Sequence, residues 1–210
     1  NSSTNPSTAA TASDKVSADI NFGTATVVTF SNGVGTTSVK LYKSETALLV
    51  ATQGAVTTSG SDRLSIVVSP AVYSKLVVSL ATPQISGTAF TGTNTLTAQD
   101  AYGNTVTTFA ANTNNVTVTT SLTGTVSGLG SGVNNVLNQA GDFVSGVANL
   151  TSLGLKFTGT TGTGTFTFTP STGTAATSGS VSISAGTATK LVVTGTGTQT
   201  AGSPQTITVT

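Results

Sequence analysis

The chain has 210 residues, of which only 6% are charged, and its formal net charge is +1. Charged residues make up about a quarter of an ordinary domain, so their scarcity is the main anomaly of this composition. A near-neutral surface of hydroxyls and amides lacks the charge pattern of a protein that binds nucleic acid or acidic lipid, which argues against both kinds of partner. No apolar run approaches the roughly 18 residues of a membrane helix, so membrane insertion is not expected.

The residue pattern favours β-structure along the whole chain. Val and Thr recur throughout, and both favour pleated backbone. Short alternating runs follow one another about every 8 to 12 residues with Gly, Asn and Ser between them, which is typical of an antiparallel sandwich. The alternative fold is a β-solenoid, but its period of about 20 to 30 residues is not found. We therefore expect an all-β chain of antiparallel β-sandwiches.

Residues 1–74 match the later part of a repeat that returns downstream. The matches are 32–34 with 145–147, 38–41 with 152–155, 48–51 with 165–168, and 65–69 with 180–184. Nothing in this part resembles the two strands that open the downstream repeat. Residues 1–74 are therefore predicted to be an incomplete repeat that lacks its first two strands.

Residues 75–189 are predicted to be a complete repeat, with short junctions around Ser74–Lys75 and Thr189–Lys190. Strands are expected near 75–80, 93–99, 104–109, 114–120, 141–144, 147–157, 163–169 and 180–185. Inward-facing residues are expected to be Leu76, Val78, Leu96, Val116, Val118, Leu153, Leu155, Phe166, Phe168, Val181 and Ile183. No helix of useful length is predicted, and 133–139 is assigned to a loop or an edge strand. The Gly-rich segment 159–164 has no Lys and no following helix, so it is predicted to be a hairpin turn and not a phosphate loop.

Residues 190–210 repeat the first two strands of that unit, since Lys75–Ser79 returns after 115 residues as Lys190–Thr194. Their alternate apolar residues are Leu191, Val193, Ile207 and Val209, which we predict to form an interface between subunits or repeats. In one interpretation these strands are donated to the open groove of residues 1–74 in the next subunit, and the heterologous contact builds a filament. In the other, the adjoining repeats of a longer chain close each sandwich.

The stretch 96–106, Leu-Thr-Ala-Gln-Asp-Ala-Tyr-Gly-Asn-Thr-Val, runs from a strand into a tight turn. Asp100 can accept bonds from backbone N–H groups two residues on, and Gly103 and Asn104 tolerate positive φ. Together with 32–52, this stretch resembles the bacterial Ig-like repeats of invasin- and intimin-type large surface proteins. The resemblance implies tandem Ig-like antiparallel β-sandwiches in an extracellular, non-enzymatic, rod-forming or adhesive array. The low charge and the Gly/Ser/Thr/Asn-rich stretch 121–140 depart from that pattern, and nothing here resembles a receptor-binding tip domain.

These features predict an extracellular, cell-surface structural protein, a subunit or segment of a bacterial filament, stalk or layer. Its expected partners are copies of itself or adjoining repeats, with glycan as a further candidate. The alternative is an adhesin module that binds glycan or host protein. Such a module would need clustered exposed aromatic residues, whereas Tyr42, Tyr73 and Tyr102 are scattered along the sequence.

No enzymatic or cofactor-binding constellation is found. The chain has no His to activate a Ser or Thr nucleophile, and no Cys or His to bind zinc. Its six carboxylates stand outside any recognisable motif and are assigned to turns and strand ends: Asp14, Asp19, Glu45, Asp62, Asp100 and Asp142. Calcium held by Asp100, Asn104 and a backbone carbonyl is the alternative to an aspartate that bonds its own turn, and the turn is favoured.

Three Asn-x-Ser/Thr sequons begin at Asn1, Asn115 and Asn149. In a chain this rich in Asn, Ser and Thr, chance matches are expected. Glycan at these positions would hydrate a surface that has few charges. Asn115 and Asn149 are therefore candidate glycosylation sites.

Overall fold

The computed structural model describes residues 8–130 and 134–210. Within these ranges the regular structure consists of short strands, one four-residue α-helix and one short 3-10 helix. Nearly all strand pairs are antiparallel, and buried apolar side chains lie between sheets. The predicted all-β fold with antiparallel sheets is therefore confirmed.

The part before residue 73, which we call the first unit, consists of short hairpins and small sheets. The strand order in its largest sheet is β2-β1-β5, and the pairs β3–β4, β6–β9 and β7–β8 complete it. A 3-10 helix, Gly60–Asp62, precedes β9. The strands are β1 (Thr11–Ser13), β2 (Asp19–Asn21), β3 (Phe30–Ser31), β4 (Val34–Gly35), β5 (Val39–Lys40), β6 (Glu45–Leu49), β7 (Thr52–Gln53), β8 (Val56–Thr57) and β9 (Leu64–Val68).

Residues 73–184 form a second and larger unit, which we call the central unit. A short helix, α1 (Leu150–Leu153), is capped by the Asn149 side chain, which accepts a hydrogen bond from the Ser152 N–H at 3.1 Å. The strands are β10 (Tyr73–Ser79), β11 (Gln84–Ile85), β12 (Thr95–Asp100), β13 (Val116–Thr120), β14 (Gly124–Ser127), β15 (Val136–Leu137), β16 (Val147–Asn149), β17 (Lys156–Gly159), β18 (Gly162–Gly164), β19 (Phe166–Pro170), β20 (Ala176–Thr177) and β21 (Val181–Ser184).

The sheets of the central unit enclose one apolar core. The sheets β10-β12-β16, β15-β13-β19-β20, β11-β21-β18 and β14-β17 all contribute side chains to this core. Phe90 and Phe166 pack edge to face with ring centroids 5.3 Å apart. Such burial of large apolar side chains is the main source of stability in a unit of this size.

Most of the predicted inward-facing residues are buried in this core. Val78 and Leu153 are the exceptions, since both are only partly buried and pack against its margin. The prediction missed several fully buried side chains, among them Phe90, Leu129 and Phe157. Phe90 and Leu129 lie in segments without a clear two-residue alternation, whereas Phe157 continues the alternation of Leu153 and Leu155 and was left out of the prediction.

The strand predictions need several corrections. The predicted strand 163–169 is divided between β18 and β19, which belong to different sheets. Segments 104–109 and 141–144 contain only isolated bridges, at Thr105 and at Val144. The predicted strand 147–157 is divided by α1 and by Gly154, whose φ of 90° ends the helix. The stretch 121–140 contains β14, which was not predicted, and the edge strand β15; Val133 of the segment 133–139 lies outside the described residues. The segment 159–164 is not a hairpin turn, because β17 pairs with β14 whereas β18 pairs with β21.

The last strands of the chain, β22 (Val193–Thr194) and β23 (Thr208–Val209), pair antiparallel. We call residues 190–210 the terminal hairpin. The backbone of Val192 adds two hydrogen bonds with Thr210, of 2.7 and 2.9 Å. Nearly every residue of this hairpin is exposed, so it does not pack on either unit.

Candidate assembly interfaces

The Asp-Ala-Tyr-Gly-Asn turn after β12 is built around the buried carboxylate of Asp100, whose exposed fraction is 0%. Oδ1 accepts hydrogen bonds from the backbone N–H groups of Tyr102 and Asn104, at 2.9 and 2.8 Å. Oδ2 accepts from Nδ2 of Asn104 at 2.8 Å and from the backbone N–H of Ala71 at 2.9 Å. The carboxylate therefore holds its own turn and also binds the end of the first unit.

These donors determine the pKa of the Asp100 carboxyl. Burial alone would raise it, because removal from water penalises the charged form. The hydrogen bonds from the Asn104 side chain and from the backbone N–H groups of Ala71, Asn104 and Tyr102 outweigh that effect and lower the pKa below its usual value. Asp100 is thus ionised at neutral pH.

Asn104 is the second residue that joins the two units. Its Nδ2 donates to the backbone carbonyl of Tyr42 at 2.7 Å, and its Oδ1 accepts from the backbone N–H of Ser44 at 2.8 Å. The rings of Tyr42 and Tyr102 lie beside these bonds with centroids 4.9 Å apart. Asp100 and Asn104, with the backbone at Tyr42, Ser44 and Ala71, form what we call the junction.

The sequence predicted the turn but not the junction. The predicted boundary at Ser74–Lys75 lies within two residues of the start of β10, whereas the side chains that hold the units together come from the far end of β12. The calcium alternative is less well supported than the turn. Each oxygen of Asp100 already accepts two N–H donors, and among the described residues no group of three or more His, Cys, Asp or Glu comes together.

An aromatic cluster lies where the chain enters the central unit. Tyr73 packs on Phe109 with ring centroids 4.6 Å apart, and Phe109 packs on Phe143 at 4.7 Å. The Tyr73 hydroxyl is buried and has no hydrogen-bond partner among the described residues. Burial raises its pKa to about 12.

One hairpin turn has the same geometry in both units. Asn32 and Gly33, between β3 and β4, have φ angles of 50° and 79°. Ser145 and Gly146, before β16, have φ angles of 49° and 79°. Two successive positive φ angles define the type I′ turn that joins tight hairpins. The sequence match of 32–34 with 145–147 is therefore also a match of backbone conformation.

Strand registers also agree between the two units. In the first unit Ala47 of β6 pairs with Ile66 of β9, and in the central unit Gly164 of β18 pairs with Val181 of β21. The neighbouring pairs continue in step: Glu45 with Val68 corresponds to Gly162 with Ile183, and Thr46 with Val67 corresponds to Thr163 with Ser182. The predicted match of 65–69 with 180–184 thus falls on equivalent strands, β9 and β21, whereas the match of 48–51 with 165–168 does not, because 166–168 lie in β19, which pairs with β13 and β20. The predicted match of 38–41 with 152–155 does not join equivalent strands, because residues 39–40 form β5 whereas residues 150–153 form α1.

The two units differ in how much they bury. Of residues 8–72, three are buried: Ala10, Thr11 and Ala47. Many large apolar side chains of the first unit are instead exposed, including Phe30 and Val34. The described part of the first unit contains no strands that correspond to β10 and β12. We call the face of the β3–β4 hairpin that carries Phe30, which lies opposite Gly35, the open face.

The strand β4 and its equivalent in the central unit, β16, differ in the number of strands that pair with them. In the central unit β16 pairs with β12, with Leu96 opposite Ala148 and Thr97 opposite Val147. In the first unit the equivalent strand, β4, is paired with β3 only, within the described residues. Its free edge leaves backbone N–H and C=O groups without a strand partner, and such an edge is a template for strand addition.

The structure brings the four predicted interface residues onto one side of the terminal hairpin. Leu191, Val193, Ile207 and Val209 are 74%, 64%, 60% and 55% exposed. Val193 pairs with Val209. In the central unit the counterpart of Val193 is Val78, and it lies opposite Leu96, which is the counterpart of Ile207 and not of Val209. The register therefore differs by two residues, which leaves the same side chains on the same face because side chains alternate with a period of two.

The other predicted site residues are placed separately. Asn115 and Asn149 are both exposed, and Asn1 lies outside the described residues. Asp14 accepts from the N–H groups of Val16 and Ala18, as expected for a turn. Among the remaining carboxylates, Asp19 pairs with Lys40, Glu45 with Lys43, and Asp142 accepts from the Gln139 N–H.

No protein-family model, curated protein or solved structure matches the chain. None of the helices among the described residues has the length and apolarity needed to cross a lipid bilayer.

Proposed function

We propose that the protein is an extracellular structural protein, a subunit or segment of a bacterial surface filament, stalk or layer. In this proposal Ig-like β-sandwich repeats follow one another head to tail. The observation that carries it is the junction, where Asp100 and Asn104 of one unit bind the backbone of the preceding unit at Tyr42, Ser44 and Ala71. A side-chain network of this kind fixes one repeat against the next, as an array under mechanical tension requires.

The repeat geometry supports the same proposal. Equivalent hairpin turns and equivalent strand registers recur in the first and central units, and the terminal hairpin repeats the sequence of β10 and β12. A sandwich with strands of about 6 to 10 residues spans roughly 40 Å with its loops, so an array of repeats covers distance with few residues. The function of each repeat is then mechanical, and the proposal includes no catalytic group and no cofactor.

The second candidate is an adhesin module that binds glycan or host protein. Such a site usually presents aromatic side chains together at an accessible surface. Here Tyr42 and Tyr102 pack on each other at the junction, and Tyr73 packs on Phe109. These contacts favour a structural role for all three tyrosines, so we place the adhesin second.

Immunogold electron microscopy of intact cells that express the protein tests the proposal. An antibody raised against the 210-residue chain should label filaments, stalks or a layer outside the cell. Cells with the gene deleted are the control, and their surface should lose both the label and the structure. Label confined to the cell interior would refute the proposal, and label on the surface of cells that bind glycan or host protein in a chain-dependent way would favour the adhesin.

A further inference from the structure

We propose that Tyr42 and Tyr102 are a site of oxidative cross-linking, at which a one-electron oxidant joins the two rings by a carbon–carbon bond. The bond runs from the first unit to the central unit across the junction. This inference goes beyond the proposed function, because it assigns a covalent modification to the contact between the units and follows from the chain itself, wherever the protein resides.

The composition leaves tyrosine as the only readily oxidised type of side chain. Cys and Met, which are common targets of oxidation, are absent, and so are Trp and His, whereas three Tyr are present. An oxidant that removes single electrons from this chain therefore has three targets. A radical formed on one of them cannot pass to a sulfur or an indole, so the partner available to it within the chain is another tyrosine.

The three tyrosines differ in their neighbours. The Tyr73 ring packs on Phe109 at 4.6 Å, and its hydroxyl is buried. Tyr42 and Tyr102 pack on each other, with ring centroids 4.9 Å apart and planes inclined at 54°. Both are partly exposed, so a soluble oxidant can reach their rings. Within the described ranges they are the one pair of tyrosines in ring contact.

The junction holds the two rings in place through their backbones. The Tyr102 N–H donates to Oδ1 of Asp100 at 2.9 Å, and the Tyr42 carbonyl accepts from Nδ2 of Asn104 at 2.7 Å. Oδ2 of Asp100 accepts from that same Nδ2 at 2.8 Å, so one side-chain network anchors both tyrosines. Groups held in contact react with effective concentrations far above those of separate molecules. Coupling within one chain should therefore be faster than coupling between chains.

The reaction balances with a peroxide as the oxidant. A haem peroxidase takes one electron and one proton from each phenol, which leaves a phenoxyl radical on each ring. The radicals couple at carbons ortho to the hydroxyls, a Cε–Cε bond forms, and the proton on each of these carbons moves to its phenol oxygen. The chain loses two hydrogen atoms in total. Hydrogen peroxide takes them as its O–O bond breaks, and two water molecules form.

The cross-link closes a loop of the chain that begins at Tyr42 in the first unit and ends at Tyr102 in the central unit. A covalent loop restricts the unfolded chain, so it raises the stability of the folded one. It also adds a covalent bond to a contact that otherwise consists of hydrogen bonds and ring packing. The junction is then closed permanently, which hydrogen bonds alone do not achieve.

Treatment of the purified chain with a haem peroxidase and hydrogen peroxide tests the inference. We expect dityrosine fluorescence from a product that runs at the 20.5 kDa of a single chain on a denaturing gel. Trypsin cuts after Lys and Arg and places each tyrosine in a different peptide: 41–43, 64–75 and 76–156. Mass spectrometry should find 41–43 joined to 76–156, with the summed mass of the two peptides less two hydrogen atoms.

Phenylalanine variants supply the controls. Tyr42→Phe and Tyr102→Phe keep the ring and remove the phenol, so both should fold, which circular dichroism checks, and neither should give the linked peptide. Tyr73→Phe is the matched control and should give it in full. Absence of the linked peptide from the unmodified chain, or its replacement by products joined between chains, overturns the inference. Equal dityrosine fluorescence of Tyr42→Phe and Tyr73→Phe at the single-chain mass does so too.

Hydrogen exchange at the Ser44 N–H, which donates to Oδ1 of Asn104, gives a second readout. Exchange there should slow after oxidation of the unmodified chain and stay unchanged in oxidised Tyr42→Phe. Equal exchange rates before and after linkage would show that the bond does not close the junction. Because the experiment uses the purified chain, its failure leaves the result of surface labelling as it stands. Absence of surface labelling would refute the proposed function and leave the cross-link in place.

Discussion

The carboxylate of Asp100 lies 2.9 Å from the backbone nitrogen of Ala71, although 29 residues separate them in the chain. The same carboxylate receives three further hydrogen bonds, all from its own turn. A turn that is complete by itself would not need the fourth donor. The contact shows that the turn serves two purposes, because it reverses the chain after β12 and it holds the end of the first unit.

Replacing Asp100 with Asn should destabilise the chain by about 2 to 4 kcal/mol, because hydrogen bonds to a charged group contribute about 1.5 to 3 kcal/mol and buried donors lose an acceptor. Urea denaturation measures the change in the free energy of unfolding. Asp62→Asn is the control, since Asp62 is exposed in the 3-10 helix. A midpoint for Asp100→Asn equal to that of the control would show that the buried carboxylate is not important for stability.

Asn104→Ala should loosen the first unit from the central unit. Its amide supplies the bonds to Tyr42 and Ser44, so hydrogen exchange at the Ser44 N–H should accelerate. Asn114→Ala is a matched control, because the Asn114 amide binds Ser171 and Thr172 inside the central unit. That variant should accelerate exchange at Thr172 and leave Ser44 unchanged. The reverse pattern would contradict the assignment of Asn104 to the junction.

Acid should weaken the junction. The folded pKa of the Asp100 carboxyl is lowered, so its stabilising contribution is present above the unfolded pKa of about 3.9 and is lost as pH falls through the folded value. Stability measured by urea denaturation should therefore decrease as the pH is lowered below about 4. The Asp100→Asn variant should show a smaller decrease over the same range. A parallel decrease in both proteins would assign the acid sensitivity to other carboxylates.

Tyr73 should ionise late in an alkaline titration. Burial raises its pKa to about 12, so the neutral phenol is favoured in the folded state. This contribution is present below the unfolded pKa of about 10 and is lost as pH rises through the folded value. Tyrosinate absorbance should show a step near pH 12 that Tyr73→Phe removes. Because the hydroxyl has no partner among the described residues, Tyr73→Phe should not destabilise the protein at neutral pH.

The equivalent glycines of the two type I′ turns should respond differently to Ala. At Gly146 a Cβ would lie 2.5 Å from the carbonyl oxygen of Val106, whereas at Gly33 it would meet nothing within 4 Å. Gly33→Ala should cost about 1 kcal/mol, from positive φ alone. Gly146→Ala should cost about 2 to 4 kcal/mol, because a steric clash is added. Equal unfolding energies would show that both turns have the same surroundings, which contradicts an open first unit.

The fold was predictable where side chains alternate. The run 95–100 reveals Leu96 and Ala98 as inward residues, and both are fully buried. The shared turn was also predictable, because Asn32–Gly33 and Ser145–Gly146 occupy matched positions in the sequence, and both pairs have positive φ. The interruption by α1 was not, since Leu150–Leu153 has no helical periodicity over its single turn and is ended by Gly154 at positive φ.

The junction was less predictable than the turn that contains it. Asp100 and Asn104 both have local explanations in a tight turn, so the sequence gives no reason to expect partners 29 and 60 residues away. The sequence contained one signal of the junction, which was an excess of side-chain hydrogen-bonding groups in the turn. Asp100 and Asn104 together offer more side-chain hydrogen-bonding groups than a five-residue turn can satisfy.

All four donors described at Asp100 are neutral N–H groups. Dissolved ions screen exposed pairs of opposite charges, but they have little access to a carboxylate that is enclosed by amide dipoles. The link between consecutive units should therefore keep its strength from fresh water to brine. An extracellular fibre built on it would hold its length while the salinity around the cell changes.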